Sequence, residues 1–328
     1  MLLSRQSILS CIAEDELHLI LLSTEACNFR CTYCYEDFQN ARMAPWVVQG
    51  VKRLVSRQAS NLRKLRISWF GGEPTLTMGI IEEVMSHIQR TIQRQPGIQL
   101  FCDTTTNAYL LDRSRFEAML GLGVTVYQVA FDGPPEVHDR MRVLAGGAGT
   151  FARIWTNVCA MQKTQETFTV VIRLHVDPEN MNAVPKFIDK CAAVFAGDRR
   201  FKLFIRKRSR LGGANSSCLP VFAEAESMEV SEMLSRRAKA LGLQAITAEE
   251  RQRACYAASG NSFVVRADGR LNKCTVALEH PNNQVGRILE DGTIVVDEAK
   301  MRQWMRGLWA RSEEQLRCPM VGYAEPAR

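Results

Sequence analysis

The chain has 328 residues, of which 46% are hydrophobic and 23% charged, with 21 glycines and 11 prolines. These fractions are typical of a folded globular protein and exclude the collagen-like, intrinsically disordered and coiled-coil classes. At this length we expect one large domain, or a large domain with a smaller one attached. The net charge of +7 is compatible with an acidic partner but does not identify one.

The N-terminal segment and the cysteine content indicate the compartment. No apolar run approaches the ~20 residues needed to span a bilayer. Met1–Ala13 has no continuous apolar stretch and runs into the acidic Glu14, Asp15 and Glu16, which is not the pattern of a signal peptide. We therefore predict a cytoplasmic protein with no membrane partner. In that compartment, eleven cysteines favour metal ligands or reactive thiols over disulfides.

Over the first two-thirds of the chain, apolar β-rich runs alternate with segments whose apolar residues recur at three- and four-residue steps. The predicted strands lie near Leu17–Ser23, Leu65–Phe70, Ile98–Thr104, Val124–Phe131, Phe168–Val176 and Phe201–Arg206. The predicted helices lie near Trp46–Ser60, Ile80–Arg94, Arg113–Leu120, Phe151–Lys163 and Ala183–Phe195. This alternation indicates parallel βα units, in which ligands bind at the carboxyl ends of the strands.

The pattern changes in the last third of the chain. Residues 211–220 are rich in Gly, Ser and Asn and indicate a loop or linker, followed by a helix near Glu224–Leu241. Asp268-Gly269 and Asp291-Gly292 each separate short apolar runs, which predicts two hairpins, and a last helix is expected near Lys300–Arg311. The predicted divisions are an N-terminal extension at 1–16, a βα domain at 17–210, and a linker with a small second domain at 211–328.

The strongest signal is a C-x3-C-x2-C motif formed by Cys27, Cys31 and Cys34 in the loop after the first strand. Thiolates hold iron–sulfur clusters, and four of them complete the coordination of a cubane cluster. Three in one loop leave one iron with an open position, and an open metal position is where catalysis takes place. The other interpretations are a zinc site, with Asp37 as the nearby fourth ligand, and three buried cysteines without a metal.

With Tyr33 directly before Cys34, this spacing resembles the radical S-adenosylmethionine (SAM) superfamily. The sequence W-F-G-G-E-P at residues 69–74 follows the second strand and is similar to the family's GGE segment. These residue types suit the binding of an amino group. Glycines allow a ligand close to the backbone, and a glutamate is an anionic partner for an ammonium. The resemblance implies that the amino group of SAM is bound by Gly71, Gly72, Glu73 and Pro74.

Further similarities follow the later strands. Thr105-Thr106-Asn107 resembles the family's T-T-N segment, and residues 128–134 resemble its Q-x-S-x-D-G-P segment. His138-Asp139-Arg140-Met141-Arg142 is similar to H-D-x-x-R, and residues 173–177 resemble the segment that flanks the adenine. Ala130 stands where the family has a serine that contacts the ribose, so ribose binding must use other groups.

The resemblance assigns cofactor roles to individual residues. It implies that Arg142 meets the SAM carboxylate, while Tyr33, Arg173 and His175 flank the adenine. The remaining cofactor-binding candidates are Asn107 and Asp132.

The C-terminal cysteines form a second group. Cys255, Gly269 and Cys274 are spaced C-x13-G-x4-C around a predicted hairpin, which resembles the opening of the SPASM or twitch extension that binds auxiliary iron–sulfur clusters. Cys318, followed by proline, would add a third ligand. We expect at most one auxiliary cluster, because the region has no C-x2-C and the sequence ends ten residues after Cys318. The other interpretation is a hairpin with buried cysteines.

Cys218, in the loop rich in Gly, Ser and Asn, is open to three interpretations. It is a candidate fourth ligand of the auxiliary cluster, a candidate catalytic donor of a hydrogen atom to a substrate radical, or a thiol without a role. The fourth ligand could also be a group other than cysteine, or the substrate itself.

The basic stretch at residues 199–210 has two interpretations. It is either a site for an acidic leader peptide at the rim of the barrel or a strand with a solvated basic end. No recognisable RNA-binding module accompanies it, so we predict no nucleic-acid partner.

The resemblance implies an α/β fold, a partial (β/α)6 TIM-like barrel with a SAM-binding [4Fe–4S] cluster, followed by a small SPASM/twitch-like auxiliary-cluster domain. The implied reaction is reductive cleavage of SAM to a 5′-deoxyadenosyl radical that abstracts hydrogen from the substrate. The motifs are most similar to those of peptide-modifying maturases. The predicted substrate is therefore a ribosomally made precursor peptide, and the product a carbon–carbon or thioether cross-link or an epimerised residue.

The resemblance also implies partners. We expect an electron donor of the flavodoxin or ferredoxin type. Because only 26 residues precede Cys27, we expect the leader to bind elsewhere or through a separate leader-binding protein. The alternatives are a sulfatase-type formylglycine maturase, a small-molecule radical SAM dehydrogenase and, in another class, a non-catalytic iron–sulfur electron carrier or metal-binding protein.

Overall fold

The computed structural model of the chain describes residues 3–36, 38–247, 253–278 and 280–323. Asp37, the candidate zinc ligand, lies outside these ranges. Among the described residues, every helix is too short or too polar to span a bilayer. The chain divides into two units: unit one comprises residues 3–26, 38–102, 253–278 and 280–323, and unit two comprises residues 27–36 and 103–247.

Strands and helices are numbered here in chain order. The strands are β1 (Glu16–Thr24), β2 (Phe29–Cys31), β3 (Lys64–Gly71), β4 (Gln99–Thr106), β5 (Val126–Phe131), β6 (Arg142–Leu144), β7 (Thr169–Val176), β8 (Phe201–Lys207), β9 (Gln244–Thr247), β10 (Ser262–Val265), β11 (Arg270–Asn272), β12 (Gln284–Ile288) and β13 (Ile294–Val296). The α-helices are α1 (Arg5–Ser10), α2 (Pro45–Gln58), α3 (Met78–Arg94), α4 (Arg113–Gly121), α5 (Pro135–Met141), α6 (Phe151–Met161), α7 (Val184–Phe195), α8 (Glu224–Ala240), α9 (Glu298–Trp304), α10 (Arg306–Trp309) and α11 (Glu313–Arg317). Short 3₁₀ turns lie at Ala59–Asn61, Pro74–Thr77, Ser216–Cys218 and Tyr256–Ala258.

The predicted elements are confirmed in type and order. The six predicted strands are β1, β3, β4, β5, β7 and β8, and the helices predicted between them are α2, α3, α4, α6 and α7. Both predicted hairpins are present, since β10 pairs antiparallel with β11, and β12 with β13. The helix near Glu224–Leu241 is α8, and the helix near Lys300–Arg311 is divided into α9 and α10. The predicted division at residues 16 and 210 stays a prediction.

The sequence patterns missed α1, α5, α11, β2, β6 and β9. Each of these elements is seven residues long or shorter. Segments of this length contain too few residues for a hydrophobic period to be recognised.

In unit one, the strands lie side by side in the order β13, β12, β11, β10, β1, β3. β1 pairs in parallel with both β10 and β3, while β10 to β13 pair antiparallel. On α2, the residues Val47, Val51, Leu54 and Val55 are buried, because residues spaced by three or four lie on one face of a helix. Pro45 at the first helical position has the fixed φ that helix initiation favours.

In unit two, residues 103–106 of β4 are followed by β5, β7, β8 and β9, which lie side by side in this order and pair in parallel. An aromatic cluster packs one face of this sheet against α6 and α7. The ring of Phe131 on β5 lies 5.7 Å from that of Phe151 and 5.0 Å from that of Phe187. Trp155 lies 5.9 Å from each of the latter two rings. Apolar contact with these helices therefore covers this face of the sheet.

The opposite face of the unit-two sheet is polar. Paired residues on neighbouring strands place their side chains on the same face. Ala130 of β5 pairs with Arg173 of β7, and His175 of β7 pairs with Arg206 of β8, so these side chains share a face. The intervening Leu174 points to the other face and is fully buried. We call the face of Ala130, Arg173, His175 and Arg206 the polar face.

A buried ion pair in unit one joins the end of β1 to the C-terminal hairpin. Arg266 donates from Nε to Glu25 Oε1 (2.6 Å) and from Nη2 to Oε2 (2.8 Å). Asn40 Nδ2 donates a further hydrogen bond to Oε2 (2.8 Å). Glu25 is 2% exposed and Arg266 0% exposed, so each charge depends on the other for compensation. The pair fixes the backbone two positions before Cys27.

Replacing Arg266 by methionine leaves the Glu25 carboxylate buried without its partner. We expect the free energy of unfolding, measured by urea denaturation and circular dichroism, to fall by about 3–5 kcal/mol. The matched control is Arg237→Met, because Arg237 and Asp189 form an ion pair whose side chains are both about half exposed. The control should lose about 0–1 kcal/mol. An equal decrease in the free energy of unfolding in the two variants would show that the buried pair stabilises the fold no more than the exposed pair does.

Candidate active site

The loop that begins unit two carries the half-buried motif cysteines Cys27, Cys31 and Cys34. The short strand β2 pairs antiparallel with β6, which places Cys31 opposite Arg142. The backbone N–H of Thr32 donates to the carbonyl of Met141 (2.9 Å). The pairing of two three-residue strands therefore holds the motif in place.

Asn107, which follows β4, lies against the first of these cysteines. Its Nδ2 donates to Asn28 Oδ1 (2.8 Å) and is 3.8 Å from the sulfur of Cys27. The backbone N–H of Phe29 donates to the same sulfur at 3.4 Å. Such donors stabilise the negative charge of a thiolate ligand. The structure thus brings the predicted cofactor residue Asn107 to the predicted ligand Cys27.

The segment between β8 and α8, predicted to be a loop or linker, packs on the cysteine loop. Asn215 Nδ2 donates to the carbonyl of Thr32 (2.8 Å). Gly213 has a φ of +86°, and a Cβ atom added there would lie 2.3 Å from the carbonyl oxygen of Cys34. Glycine is therefore required at this contact. Cys218, the candidate hydrogen-atom donor, lies in the same segment and is exposed.

A buried network connects Tyr33 to three other predicted site residues. The Tyr33 hydroxyl donates to Asp132, with distances of 2.8 and 3.0 Å to its two carboxylate oxygens. It accepts from Arg142 Nη1 (2.9 Å) and lies 3.3 Å from His175 Nδ1, which is itself 3.2 Å from Asp132 Oδ1. The structure brings these four residues together, and the roles that the resemblance implies for them stay predictions.

Three residues that the sequence analysis did not assign to the site complete this network. Arg208 is buried, with Nη2 3.3 Å from Asp132 Oδ1 and Nη1 paired with Asp177. Its guanidinium also lies over the Tyr33 ring, 4.6 Å from the centroid. Asn180 Nδ2 donates to the backbone carbonyl of Asp132 (2.9 Å). Asp177 belongs to the segment that resembles the adenine flank, which is the signal that could have identified it.

Arg208 comes from the basic stretch at 199–210, whose residues lie in different environments. Arg199 and Arg210 are exposed, whereas Arg208 is buried in the network. Arg200 is paired with Asp198 (2.8 Å). The stretch is therefore not one continuous charged surface, and composition alone could not distinguish its buried arginine from the solvated ones.

The charge state of the network follows from burial and pairing. Burial alone would raise the pKa of Asp132, but the hydrogen bond to His175 and the charges of Arg142 and Arg208 hold that pKa below its ordinary value. Burial lowers the pKa of His175 to about 4, although Asp132 opposes this shift. Near pH 7, Asp132 is therefore an anion and His175 is neutral.

Two predicted cofactor residues present unused donors. Arg142 Nε and Arg173 Nε are buried without a hydrogen-bond partner in the part of the chain that the structure describes. Arg142 lies opposite Cys31, and Arg173 lies on the polar face. A buried guanidinium N–H without an acceptor is costly, so each of these atoms favours an anion or another acceptor from outside the chain.

The predicted ammonium-binding segment, Gly71–Pro74, lies in unit one. Glu73 is fully buried, and its Oε1 accepts hydrogen bonds from the N–H (3.0 Å) and the hydroxyl (2.6 Å) of Thr75. The Glu73 N–H donates to the carbonyl of Ala26 (2.9 Å), and a Cβ added to Gly72 would lie 2.1 Å from that oxygen. The segment therefore holds a buried carboxylate and fixes the backbone that leads into the cysteine loop.

The C-terminal cysteines also lie in unit one. The N–H of Cys255 donates to the carbonyl of Leu316 (2.8 Å), two residues before Cys318. Cys274 follows β11, and its N–H donates to Asn283 Oδ1 (2.8 Å). Burial, together with the charges of Cys274 and Cys318, raises the pKa of Cys255 to about 12. The three thiols thus lie within electrostatic reach of one another.

Four of the remaining cysteines lie away from these groups. Cys102 is buried on β4 and Cys191 on α7, Cys159 is half-buried on α6, and Cys11 is buried directly after α1.

The arrangement of the candidate ligands distinguishes a single metal ion from a cluster. Within the residues that the structure describes, no three His, Cys, Asp or Glu side chains lie close enough together to share a single metal ion. A four-iron cluster requires more widely spaced ligands than a single ion, because each thiolate binds a separate iron atom and the ligands surround the cluster. The half-buried cysteines, the N–H donors at Cys27 and the buried Arg142 fit an anionic cluster of this kind.

Residues 21–191, just over half of the chain, match the family model described as the Radical SAM superfamily. The chain belongs to the radical SAM superfamily. Membership implies a [4Fe–4S] cluster and SAM as cofactors. The family match therefore supports a radical SAM enzyme over the non-catalytic carrier that was one alternative from the sequence.

Two curated relatives align with part of this radical SAM chain. GTP 3′,8-cyclase of Stenotrophomonas maltophilia is 37% identical over 132 residues, which cover 39% of this chain and 37% of the cyclase. PqqA peptide cyclase of Rhodopseudomonas palustris is 24% identical over 166 residues, which cover 50% of this chain and 42% of that enzyme. The chain thus spans less than half the length of these curated relatives.

Two solved structures share the fold. Native anSMEcpe with bound AdoMet and Kp18Cys peptide has a TM-score of 0.70 at 17% identity, covering 93% of this chain and 87% of that chain. Streptococcus suis SuiB bound to precursor peptide SuiA has a TM-score of 0.65 at 14% identity, covering 97% and 72%. The predicted fold, the mostly parallel α/β sheet of a radical SAM partial barrel, is confirmed. The auxiliary-cluster domain stays a prediction.

Replacing Gly213 by alanine would displace the carbonyl of Cys34. We expect the iron content after anaerobic reconstitution to fall by roughly half or more, because groups that orient a metal ligand strongly affect metal affinity. The measurement is iron and sulfide analysis of the purified variant. The matched control is Gly212→Ala, since Gly212 also has a positive φ (+102°) but no atom within 4 Å of an added Cβ. The same iron content in both variants would show that this contact does not position Cys34.

Proposed function

We propose that this radical SAM enzyme modifies a ribosomally made precursor peptide, forming a carbon–carbon or thioether cross-link or epimerising a residue. The observation that carries the proposal is the likeness, over more than nine-tenths of the chain, to two enzymes solved with peptides bound. The partial alignment with PqqA peptide cyclase also supports it. The sulfatase-type maturase alternative belongs to the same peptide-modifying class.

In this proposal, Cys27, Cys31 and Cys34 hold the [4Fe–4S] cluster. When bound, the cluster and SAM supply a 5′-deoxyadenosyl radical that abstracts a hydrogen atom from the substrate. Arg142 binds the SAM carboxylate through its unused Nε donor, and the buried carboxylate of Glu73 binds the amino group. These assignments pair each charge of the methionine part of SAM with an opposite charge of the chain.

The buried network keeps the residues that flank the adenine in position. Asp132 accepts from the Tyr33 hydroxyl and contacts His175, and Arg208 lies over the Tyr33 ring. Because these groups are buried and hydrogen-bonded to one another, they exclude water from this side of the site. On the polar face, Ala130 has no hydroxyl for the ribose, so Gln128, two residues earlier on the same strand, would bind it.

Cys255, Cys274 and Cys318 would hold one auxiliary cluster. Their mutual electrostatic effect supports this assignment. Lys273 is fully buried beside Cys274, with Nζ donating to two backbone carbonyls at 2.5 Å each. Burial lowers the pKa of Lys273 to about 7, and its protonated form stabilises neighbouring thiolates. The fourth ligand stays open among Cys218, a group other than cysteine and the substrate.

Two partners complete the proposal. A flavodoxin- or ferredoxin-type protein supplies electrons, and a separate protein binds the leader of the precursor peptide. Of the basic stretch at 199–210, the exposed Arg199 and Arg210 are the residues that an acidic partner could contact.

A second candidate function is the conversion of a small molecule. It is favoured by the 37% identity to GTP 3′,8-cyclase, which exceeds that to the peptide cyclase but extends over a shorter segment. The two candidate functions require different substrates. Incubating the enzyme with each class of substrate therefore distinguishes them.

Replacing Cys27, Cys31 and Cys34 together by alanine should separate the two clusters. We expect anaerobically reconstituted wild type to hold two cubane clusters and the triple variant to keep one, measured by iron and sulfide analysis and Mössbauer spectroscopy. Complete loss of iron from the variant would leave Cys255, Cys274 and Cys318 as structural residues. Zinc without iron in the wild type would overturn the proposed mechanism.

The substrate class is tested by anaerobic incubation with SAM, dithionite and each short peptide encoded beside the gene. We expect one peptide to increase 5′-deoxyadenosine formation and to change in mass spectrometry. A cross-link removes two hydrogen atoms, whereas epimerisation in D2O introduces one deuterium. The triple cysteine variant serves as the inactive control. A parallel reaction with GTP tests the alternative, and stimulation by GTP but by no peptide would refute the peptide proposal.

A further inference from the structure

The polar face of unit two carries two arginines without an acidic partner. Arg173 lies on β7, and Arg206 lies on β8 in register with His175, two residues further along the same face. Both arginines are half-buried. Within the residues described by the structure, neither forms a hydrogen bond or an ion pair, and Arg173 Nε is buried.

The two positive charges lie near each other. Burial and the charge of Arg206 lower the pKa of Arg173 to about 10, so the Arg173 guanidinium remains charged near neutral pH. Two like charges on a half-buried face repel each other and have lost part of their hydration. Without an anion, this arrangement is unfavourable.

The neighbouring buried acids do not neutralise these charges. Asp132 is hydrogen-bonded to Tyr33 and lies next to His175 and Arg208, and Asp177 is paired with Arg208. The face therefore needs an anion from outside the chain. The planar fork of an arginine matches a carboxylate, which can accept two N–H groups at once.

Both side chains in register with Arg173 on the neighbouring strands are apolar. Arg173 is in register with Ala130 on one side and with Phe204 on the other. A methyl group occupies less space than the larger side chains of neighbouring positions, and the phenyl ring provides an apolar wall. Apolar surroundings strengthen a charge-assisted hydrogen bond.

Neither part of SAM accounts for both arginines. The proposed function assigns the SAM carboxylate to Arg142, which lies opposite Cys31 and has its own unused Nε. The adenine beside the Arg173–His175 segment is uncharged, so it can stack on a guanidinium but cannot neutralise it.

We propose that Arg173 and Arg206 together bind a carboxylate of the substrate. Resting on the proposed function, this carboxylate belongs to an aspartate or glutamate side chain of the peptide near the residue that is modified. The arginine pair then selects peptides with an acidic residue at that position and rejects their amide counterparts.

The test uses the holoenzyme with SAM under anaerobic conditions and two probes, N-acetyl-glutamate N-methylamide and its glutamine counterpart. We expect ligand-observed NMR titration to give a Kd about tenfold lower for the glutamate probe, as a charge-assisted pair requires. In Arg173→Gln, Arg206→Gln and the double variant, the two probes should bind alike. The matched control is Arg236→Gln, which removes one exposed charge on α8 and should retain the preference.

Equal binding of the two probes to wild type, or a preference that persists in the double variant, would overturn the proposal. A tenfold rise in the Kd of SAM in Arg206→Gln would also overturn it, since the anion would then be the SAM carboxylate. Near-ultraviolet circular dichroism and iron content compared with wild type distinguish loss of the site from misfolding. If the probes are discriminated but no peptide is modified, the carboxylate site stands and the peptide proposal alone fails.

Discussion

A carboxylate buried as completely as that of Asp132 needs several donors, because charge removed from water must be compensated within the chain. The donors come from segments that are distant in sequence. Tyr33 comes from the cysteine loop, His175 from β7, and Arg208 from the residue after β8. Asn180 binds the backbone of the same residue. Holding one charge in place thus orders the cysteine loop, the end of β7 and the residue after β8 together.

Within unit one, the backbone of Glu25 and Ala26 is fixed by two different means. Glu25 is held by the charge of Arg266, an interaction that acts over distance and tolerates small movements. Gly72 lies so close to the carbonyl of Ala26 that no side chain fits, which is a constraint of short-range repulsion. Glu25 is therefore restrained electrostatically and Ala26 sterically, within a single unit of the chain.

Much of this architecture could be predicted from the sequence. The βα units were recognisable because buried parallel strands are continuous apolar runs and the helices between them have a clear period. The Asp-Gly hairpins were recognisable because this dipeptide favours the tight turn that their strands require. Cys27, Cys31 and Cys34 were recognisable because ligand spacing within one loop is a local property.

Interactions between distant segments were not predictable. The pairing of Glu25 with Arg266 joins residues separated by 241 positions, and nothing local distinguishes this arginine from others. Arg208 stands among other basic residues, and its burial depends on acids contributed by two other segments. The β2–β6 pair consists of three-residue strands, whose length carries no periodic signal.

The position of β10 beside β1 has a consequence for the independence of the C-terminal region. β10 covers one edge of β1, and Arg266, directly after it, compensates Glu25 at the end of that strand. A chain shortened to end near residue 210 would therefore expose unpaired backbone along a strand whose residues are mostly buried, and would leave a carboxylate in the interior without its cation. The C-terminal region is thus part of the folding unit that contains the first strand, and a shortened chain is expected to aggregate rather than to fold as a smaller enzyme.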